Sequence, residues 1–244
     1  MPTPSPLPRL PRPTLKRLLA RPDVLVLLAA AAVAGGLWGV VEGLDTVLDG
    51  GPDSVERALL LALQSPERGP VGPRWLEVLA RDYTALGSVG VLTLLTVGVS
   101  GYLWLRRRGP VAAYLLATVG GGLVLSTLLK LGVDRSRPAA HLHASHVYSP
   151  SFPSGHAMMA AVTYLTLGLL LAHVHRRNAV QRYVLSGALL VTATVGATRV
   201  YLGIHWPTDV LAGWTVGTVW ALACWLGVLW KRRGSAPQNE SSAP

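Results

Sequence analysis

Charge is scarce in this chain. Asp, Glu, Lys and Arg make up 14% of its 244 residues, well below the ~25% of a soluble domain. Half of the residues are hydrophobic and mean hydropathy is +0.41, so an ordinary water-soluble fold is excluded and a membrane protein is indicated. Cysteine is scarcer still: Cys224 stands alone inside an apolar run, which excludes an intrachain disulfide and leaves the redox compartment unread. No internal repeat is visible, which argues against an inverted-repeat transporter. Acids are few, and the net charge is +10. In a soluble protein that balance would suggest nucleic acid. Here the cations sit in short clusters beside apolar runs, so no nucleic-acid partner is expected.

What is present is a series of long apolar stretches. Six are long enough, or nearly so, to cross a bilayer: about Val24–Val41, Thr84–Leu105, Val111–Leu131, Ala157–Val174, Tyr183–Val200 and Val210–Trp230. The fourth and fifth are at the short end. Threaded alternately, the spans leave fourteen cations on one side, from Arg9 through Arg106–Arg108 and Arg176–Arg182 to Arg233, against only Asp23 and Glu240. Cytoplasmic loops carry the excess of Lys and Arg. Both termini are therefore expected in the cytoplasm of a multi-pass inner (plasma) membrane protein, with the opposite face toward the periplasm or exterior. Val24–Ala34, with Ala32-Val33-Ala34 as a small-residue site, imitates a secretory signal. The apolar run continues through Leu37, Trp38 and Val40, and the basic leader is long, so a retained span is the better reading.

Three regions follow: a basic, Pro-rich cytoplasmic tail over 1–23, a six-span membrane domain over 24–231, and a disordered cytoplasmic tail over 232–244. The first outer loop, about Glu42–Asp82, is too long for a simple connector. Asp53 and Glu56 have the spacing of a helix capping box, and Val55, Leu59 and Leu63 then recur at helical spacing. After Gly69-Pro70-Val71-Gly72-Pro73, a second pattern aligns Trp75, Leu76, Leu79 and Ala80. Both segments are expected to form short amphipathic helices in the membrane interface or packed against the bundle. Gly35…Gly39 and Gly213…Gly217 have the spacing of close helix packing; they say nothing of oligomeric state, which the sequence leaves unknown.

The remaining polar groups cluster at the outer ends of the apolar segments, where a charge in the membrane calls for a functional reason. Lys130 closes the third span, and Arg137-Pro138 follows. A lysine offers a compact charge, an arginine a planar fork that matches two phosphate oxygens. Pro153-Ser154-Gly155-His156 precedes the fourth span, where helix N–H groups, a serine hydroxyl and a close backbone approach suit an anion. Arg199 ends the fifth span, and His205-Trp206-Pro207-Thr208-Asp209 opens the sixth. Asp209 stands four residues after His205, close enough to accept a ring N–H, fix the tautomer and make the other nitrogen a nucleophile. His141, His143 and His146 have a spacing that zinc could use, but no acid or cysteine completes a site. No metal and no cofactor are expected.

Lys130-x6-Arg137-Pro138, Pro153-Ser154-Gly155-His156 and Arg199-x5-His205-x3-Asp209 resemble the three signature motifs of the type 2 phosphatidic acid phosphatase (PAP2) superfamily, which also includes bacterial acid phosphatases and vanadium haloperoxidases. The likeness runs on into Val210-Leu211-Ala212-Gly213 and departs at Thr198, where the family usually has serine. It implies an all-α, six-transmembrane bundle with an acid-phosphatase-like core. It further implies that His205 attacks phosphorus, oriented by Asp209, and that His156 protonates the leaving oxygen. Lys130, Ser154, Gly155, Arg137 and Arg199 would then hold the phosphoryl oxygens. The expected activity is hydrolysis of a lipid phosphate or diphosphate at the outer face: phosphatidate, phosphatidylglycerol phosphate or undecaprenyl diphosphate. A phosphotransferase using the same site, and a non-catalytic transporter that only binds lipid phosphate, are the alternatives. The transporter reading gives the His205–Asp209 spacing no role.

Overall fold

A computed structural model describes residues 54–65, 69–133, 135–138, 150–175 and 177–234. The first expected span, the N-terminal tail, residues 235–244 of the C-terminal tail, Asp53, Gly35…Gly39 and the histidines at 141, 143 and 146 lie outside the described residues; α7 runs on to Gly234, into the first residues of the expected C-terminal tail.

Apolar helices dominate what is described. Helix α1 (Ser54–Leu63) is followed by a two-stranded antiparallel ribbon, β1 (Gln64–Ser65) with β2 (Gly69–Pro70), in which Gln64 pairs with Pro70 and Ser65 with Gly69. Then come α2 (Arg74–Ala85), α3 (Val89–Leu105), α4 (Gly109–Gly132), α5 (Gly155–Val174), α6 (Asn178–Tyr201) and α7 (Pro207–Gly234). Among the described residues, α4, α5, α6 and α7 are each long and apolar enough to cross a membrane.

The span expected over Thr84–Leu105 is broken. α2 and α3 meet at a 46° bend, and only when joined do they pass as one more span. Leu86 and Gly87 still donate back to the carbonyls of Tyr83 and Thr84, while Ser88 starts α3 afresh by accepting the Val91 N–H at 3.3 Å. The corner is pinned from outside, because the Tyr164 hydroxyl of α5 donates to the Leu86 carbonyl at 2.9 Å. The two sides differ in character: α2 carries Arg74, Glu77, Arg81 and Asp82, whereas α3 is free of charge, so the break falls where the amphipathic segment gives way to the apolar one. The fourth and fifth spans are also longer than expected, at 20 and 24 residues. Their ends carry the polar residues that had truncated the apolar reading.

α5 is the central helix and packs on α3, α4, α6 and α7. Its first turns are wholly buried from Ala157 to Val162, apart from a sliver of Met159. In lipid, helices associate through close packing, with small residues bringing backbones together. The Gly213…Gly217 pair does this. A β-carbon at Gly213 would stand 2.7 Å from the Ser154 carbonyl oxygen, and one at Gly217 would stand 2.8 Å from the β-carbon of Ala161. α7 thus lies directly on the backbone of α5. Trp214 and Trp220 on α7 donate their ring N–H groups to the carbonyls of Thr192 on α6 and Thr118 on α4. Leu94, Leu105, Leu131, Leu190 and Trp230 are exposed on the outer surface of the bundle, as a lipid-facing surface requires.

The two short helices of the segment expected over 42–82 form as the spacing implied, with a different inward face on α1. Val55 and Leu59 are exposed, and Glu56 and Leu60 are buried. Both carboxylate oxygens of Glu56 accept from residues far along the chain, Arg135 and Thr208. The ribbon is hooked to the end of α6, where Gln64 donates to the Tyr201 carbonyl at 2.7 Å and the Tyr201 hydroxyl donates to the Val71 carbonyl at 3.0 Å.

Candidate active site

The polar residues at the ends of α4, α5, α6 and α7 converge, and backbone bonds hold the converging segments. Ser151 N–H donates to the Arg135 carbonyl, and Ser154 N–H donates to the Asp209 carbonyl, each at 2.9 Å. The Trp206 ring N–H donates to the Ser136 carbonyl at 3.0 Å. The three sequence clusters, dozens of residues apart, are thereby tied edge to edge.

His205 reaches its place through the way α6 ends. Gly203 adopts φ 62°, and the N–H groups of Gly203 and Ile204 bond back to the carbonyls of Val200 and Arg199 at 2.8 and 3.0 Å. This is the glycine-terminated C-cap that turns a chain out of a helix. The turn leaves Arg199 in the last helical turn and buries His205 between α6 and α7. Pro207 then opens α7, a position that needs no N–H.

Asp209 lies at the bottom of the site with no exposed surface. Its Oδ1 accepts from Arg135 Nη1 at 2.7 Å. Its Oδ2 accepts the Trp206 N–H at 2.9 Å and a short bond from the Ser151 hydroxyl. It therefore caps its own helix and also faces His205, whose Nδ1 lies 3.4 Å from Oδ2 and 3.4 Å from the Ser151 hydroxyl. On the other edge of the ring, Nε2 lies 3.2 Å from Arg137 Nη1. A guanidinium N–H can only donate, so this contact makes Nε2 the acceptor and puts the ring proton on Nδ1, toward Asp209. Burial pushes the imidazole down to about 4, the Asp209 contact opposes that, and the charges of Arg199 and Arg137 add to it. The ring is neutral at physiological pH, with a lone pair on Nε2. Burial likewise lowers Arg137, which also donates to the Ile204 carbonyl at 3.1 Å.

Around this ring stand the other expected residues. Gly155 opens α5 with Lys130 Nζ over it: a β-carbon there would lie 3.6 Å from that nitrogen and 3.7 Å from the Ser126 hydroxyl. The Ser154 hydroxyl and Arg199 Nε are buried with no partner among the described residues, and such groups are costly unless a ligand meets them. Arg199 Nη1 reaches the Thr84 hydroxyl at 3.4 Å. His156 occupies the first turn of α5, near the His205 ring and close enough to Arg199, Lys130 and Arg137 to feel their three charges. The Thr198 hydroxyl bonds back to the Val195 carbonyl at 2.7 Å, within its own helix. Threonine in place of serine therefore changes no contact to the site.

Three contributors escaped the sequence reading. Arg135 is buried and bridges two acids: Asp209, and Glu56 on α1 at 2.8 Å. It also stacks over Trp206, 5.7 Å from the ring centroid. Ser151 holds Asp209. Nothing in local spacing distinguishes Arg135 from its neighbour Arg137, and Ser151 is one serine among several. Glu56 left a readable trace: it is an acid aligned with Leu60 and Leu63 at helical spacing, on a face that turned out to be buried.

Among the described residues, four cations (Lys130, Arg135, Arg137, Arg199) and two carboxylates (Glu56, Asp209) make up this cluster. The net excess of two positive charges, beside a neutral imidazole and unpartnered donors, fits a doubly charged oxyanion.

Comparison with known proteins agrees. Residues 111–233 match the model of the PAP2 superfamily, and the chain belongs to that family. Phosphatidylglycerophosphatase B of Bacillus subtilis is 34% identical over 146 residues, covering 59% of this chain and 70% of that protein. Undecaprenyl-diphosphatase of Sulfolobus acidocaldarius is 27% identical over 143 residues, covering 53% of this chain and 65% of that protein. Among solved structures, the transmembrane PAP2-type phosphatidylglycerolphosphate phosphatase of Bacillus subtilis superposes with a TM-score of 0.62 at 26% identity, over 86% of this chain and 94% of that one. The chain is a PAP2-type phosphatase of the membrane.

Proposed function

We propose that this PAP2 phosphatase removes the terminal phosphate from a lipid at the outer face of the membrane through a phosphohistidine on His205. The observation that carries the reading is the His205 ring: its Nδ1 edge faces Asp209 and its Nε2 lone pair meets the guanidinium of Arg137. An arriving phosphate takes over that guanidinium and brings phosphorus to Nε2. The N–P bond forms as the P–O bond to the lipid breaks, and the proton on His156 passes to the leaving oxygen. Water then attacks phosphorus, His156 takes its proton, and inorganic phosphate leaves as the N–P bond breaks. Asp209 stabilises the positive ring of the intermediate. Phosphoryl transfer asks mainly for positioning and charge, which Lys130, Arg137, Arg199, the Ser154 hydroxyl and the Gly155 N–H supply without a metal.

Phosphatidylglycerol phosphate heads the candidate substrates, because a sequence relative and a solved structural neighbour both carry that activity in their names. Undecaprenyl diphosphate and phosphatidate follow. The outer face is supported by the charge bias, with fourteen cations opposite the site and two acids among them. The test is phosphate release from the three lipids by the full chain in detergent, with acid-labile phosphoenzyme trapped in parallel. Turnover with phosphohistidine at His205, absent from His205→Ala, is expected. Lipid binding without phosphate release from any of the three would overturn the reading in favour of a transporter.

A further inference from the structure

The Glu56 carboxylate lies outside the stretch matched by the family model, on a helix of the first outer segment, yet it ends in the middle of the site. Its Oε2 accepts from Arg135 Nη2 at 2.8 Å. Its Oε1 accepts the Thr208 N–H at 2.9 Å and the Thr208 hydroxyl at 2.5 Å. That hydroxyl in turn accepts from Arg135 Nη1 at 2.7 Å. The same Nη1 reaches Asp209 Oδ1. Glu56, Thr208, Arg135 and Asp209 thus form one closed set of contacts around the N-terminus of α7, with Glu56 and Asp209 on opposite sides of a single guanidinium. Both carboxylates are buried.

We propose that Glu56 is a positioning residue for the reaction: by sharing Arg135 and capping α7, it leaves Asp209 its charge and its aim at His205. The proposal rests on the reading of His205 as nucleophile. A guanidinium bound to Asp209 alone would cancel most of the negative charge that the His205 ring relies on. Glu56 takes up that excess. The other charges facing the ring are Arg137 from the loop after α4, Arg199 from α6, and Lys130 and His156 beyond them, all positive or capable of becoming so. The acids near the ring are therefore in short supply, and Glu56 supplies the second one. Its capping contact to Thr208 also fixes the first turn of α7, from which Asp209 projects.

Two steps of the reaction respond oppositely to the electron density of the imidazole. A ring poorer in electrons attacks phosphorus more slowly and leaves it no more slowly. Glu56→Gln retains the size and an oxygen for the Thr208 N–H while removing the charge. In rapid-quench measurements with radiolabelled lipid and full-chain enzyme, the phosphorylation rate constant should fall about tenfold, at the low end of what loss of a supporting contact costs. The dephosphorylation rate constant should stay within about twofold, and Glu56→Asp should recover much of the loss. A purely structural role would lower the burst amplitude, which counts folded sites, and leave both rate constants alone. The defect should also vanish when Arg135→Gln is already present, since the effect passes through that residue. If Glu56→Gln yields too little folded protein, Thr208→Val, which cuts the hydroxyl bridge, should slow phosphorylation about threefold. Unchanged phosphorylation in these variants, with phosphohistidine found at His205 in the wild type, would overturn the role of Glu56 alone. A phosphoenzyme surviving in His205→Ala would instead remove the reading beneath it.

Discussion

Replacing Gly213 by alanine tests whether the contact between α7 and α5 sets the geometry of the site. The added β-carbon would fall 2.7 Å from the Ser154 carbonyl oxygen, 3.1 Å from the β-carbon of Ala157 and 3.1 Å from the Met158 nitrogen. Carbon and oxygen prefer a separation several tenths of an ångström greater, and two of the three neighbours are backbone that cannot rotate away. α7 must therefore retreat by roughly half an ångström, and overpacking of this kind costs about 1–3 kcal/mol. Alanine returns up to about 1 kcal/mol through its better helix propensity, so net destabilisation of about 0–2 kcal/mol is expected. The effect on activity is larger. The same contact carries the Ser154 N–H bond to the Asp209 carbonyl, so the retreat separates the Ser154–His156 cluster from the His205–Asp209 cluster. Misplacement near 1 Å can cost about a hundredfold in rate, and half of that displacement predicts about a tenfold fall in kcat. Gly227 on the same helix is the control, because a β-carbon there meets nothing within 4 Å among the described residues. Phosphate release and melting temperature, measured for both variants in one detergent, decide the matter. Gly213→Ala with wild-type kcat, or Gly227→Ala equally impaired, would refute the argument.

Other outcomes follow from the charges. Because burial lowers His205 to about 4 from an ordinary ~6.5, the free enzyme should keep its nucleophile neutral, and kcat/KM should not fall on this account until pH approaches that value. The same shift bears on stability: between about 6.5 and 4 the unfolded chain takes up a proton that the folded one refuses. Stability should therefore drop as pH falls through that window, and a His205→Asn variant should show less of the drop in thermal melts. Vanadate should inhibit far more strongly than phosphate, since its adduct imitates the in-line transition state. Arg199→Lys should weaken that inhibition at least tenfold, because an ammonium lacks the planar fork; equal inhibition constants would remove Arg199 from the phosphoryl oxygens. Activity should persist in excess EDTA, since the cation cluster supplies the charge; loss on chelation, restored by zinc or magnesium, would contradict this.

The class of protein and the chemical types at the site were legible from residue order alone. Long apolar runs can only be helices in a membrane, because the backbone must satisfy itself there. Polar residues at the ends of such runs are costly enough to be few, so Lys130, His156, Arg199, His205 and Asp209 stood out against their surroundings. Relations within four residues were also legible: the His205–Asp209 spacing, the proline that opens α7, and the Gly213…Gly217 step that lets α7 meet α5. Contacts over longer distances came from the packing of the helices. Glu56 reads locally as part of a capping box, yet Arg135 claims it from 79 residues away. Ser151 meets Asp209 across 58 residues. The corner at Gly87 is wedged between two helices: a β-carbon there would run into the Val195 side chain of α6 and stand 3.0 Å from the His156 carbonyl oxygen of α5. Local spacing can specify a helix face and its neighbours in the next turn. Which buried charge answers which depends on how the helices pack, and only the folded bundle brings Glu56, Arg135 and Asp209 to one guanidinium.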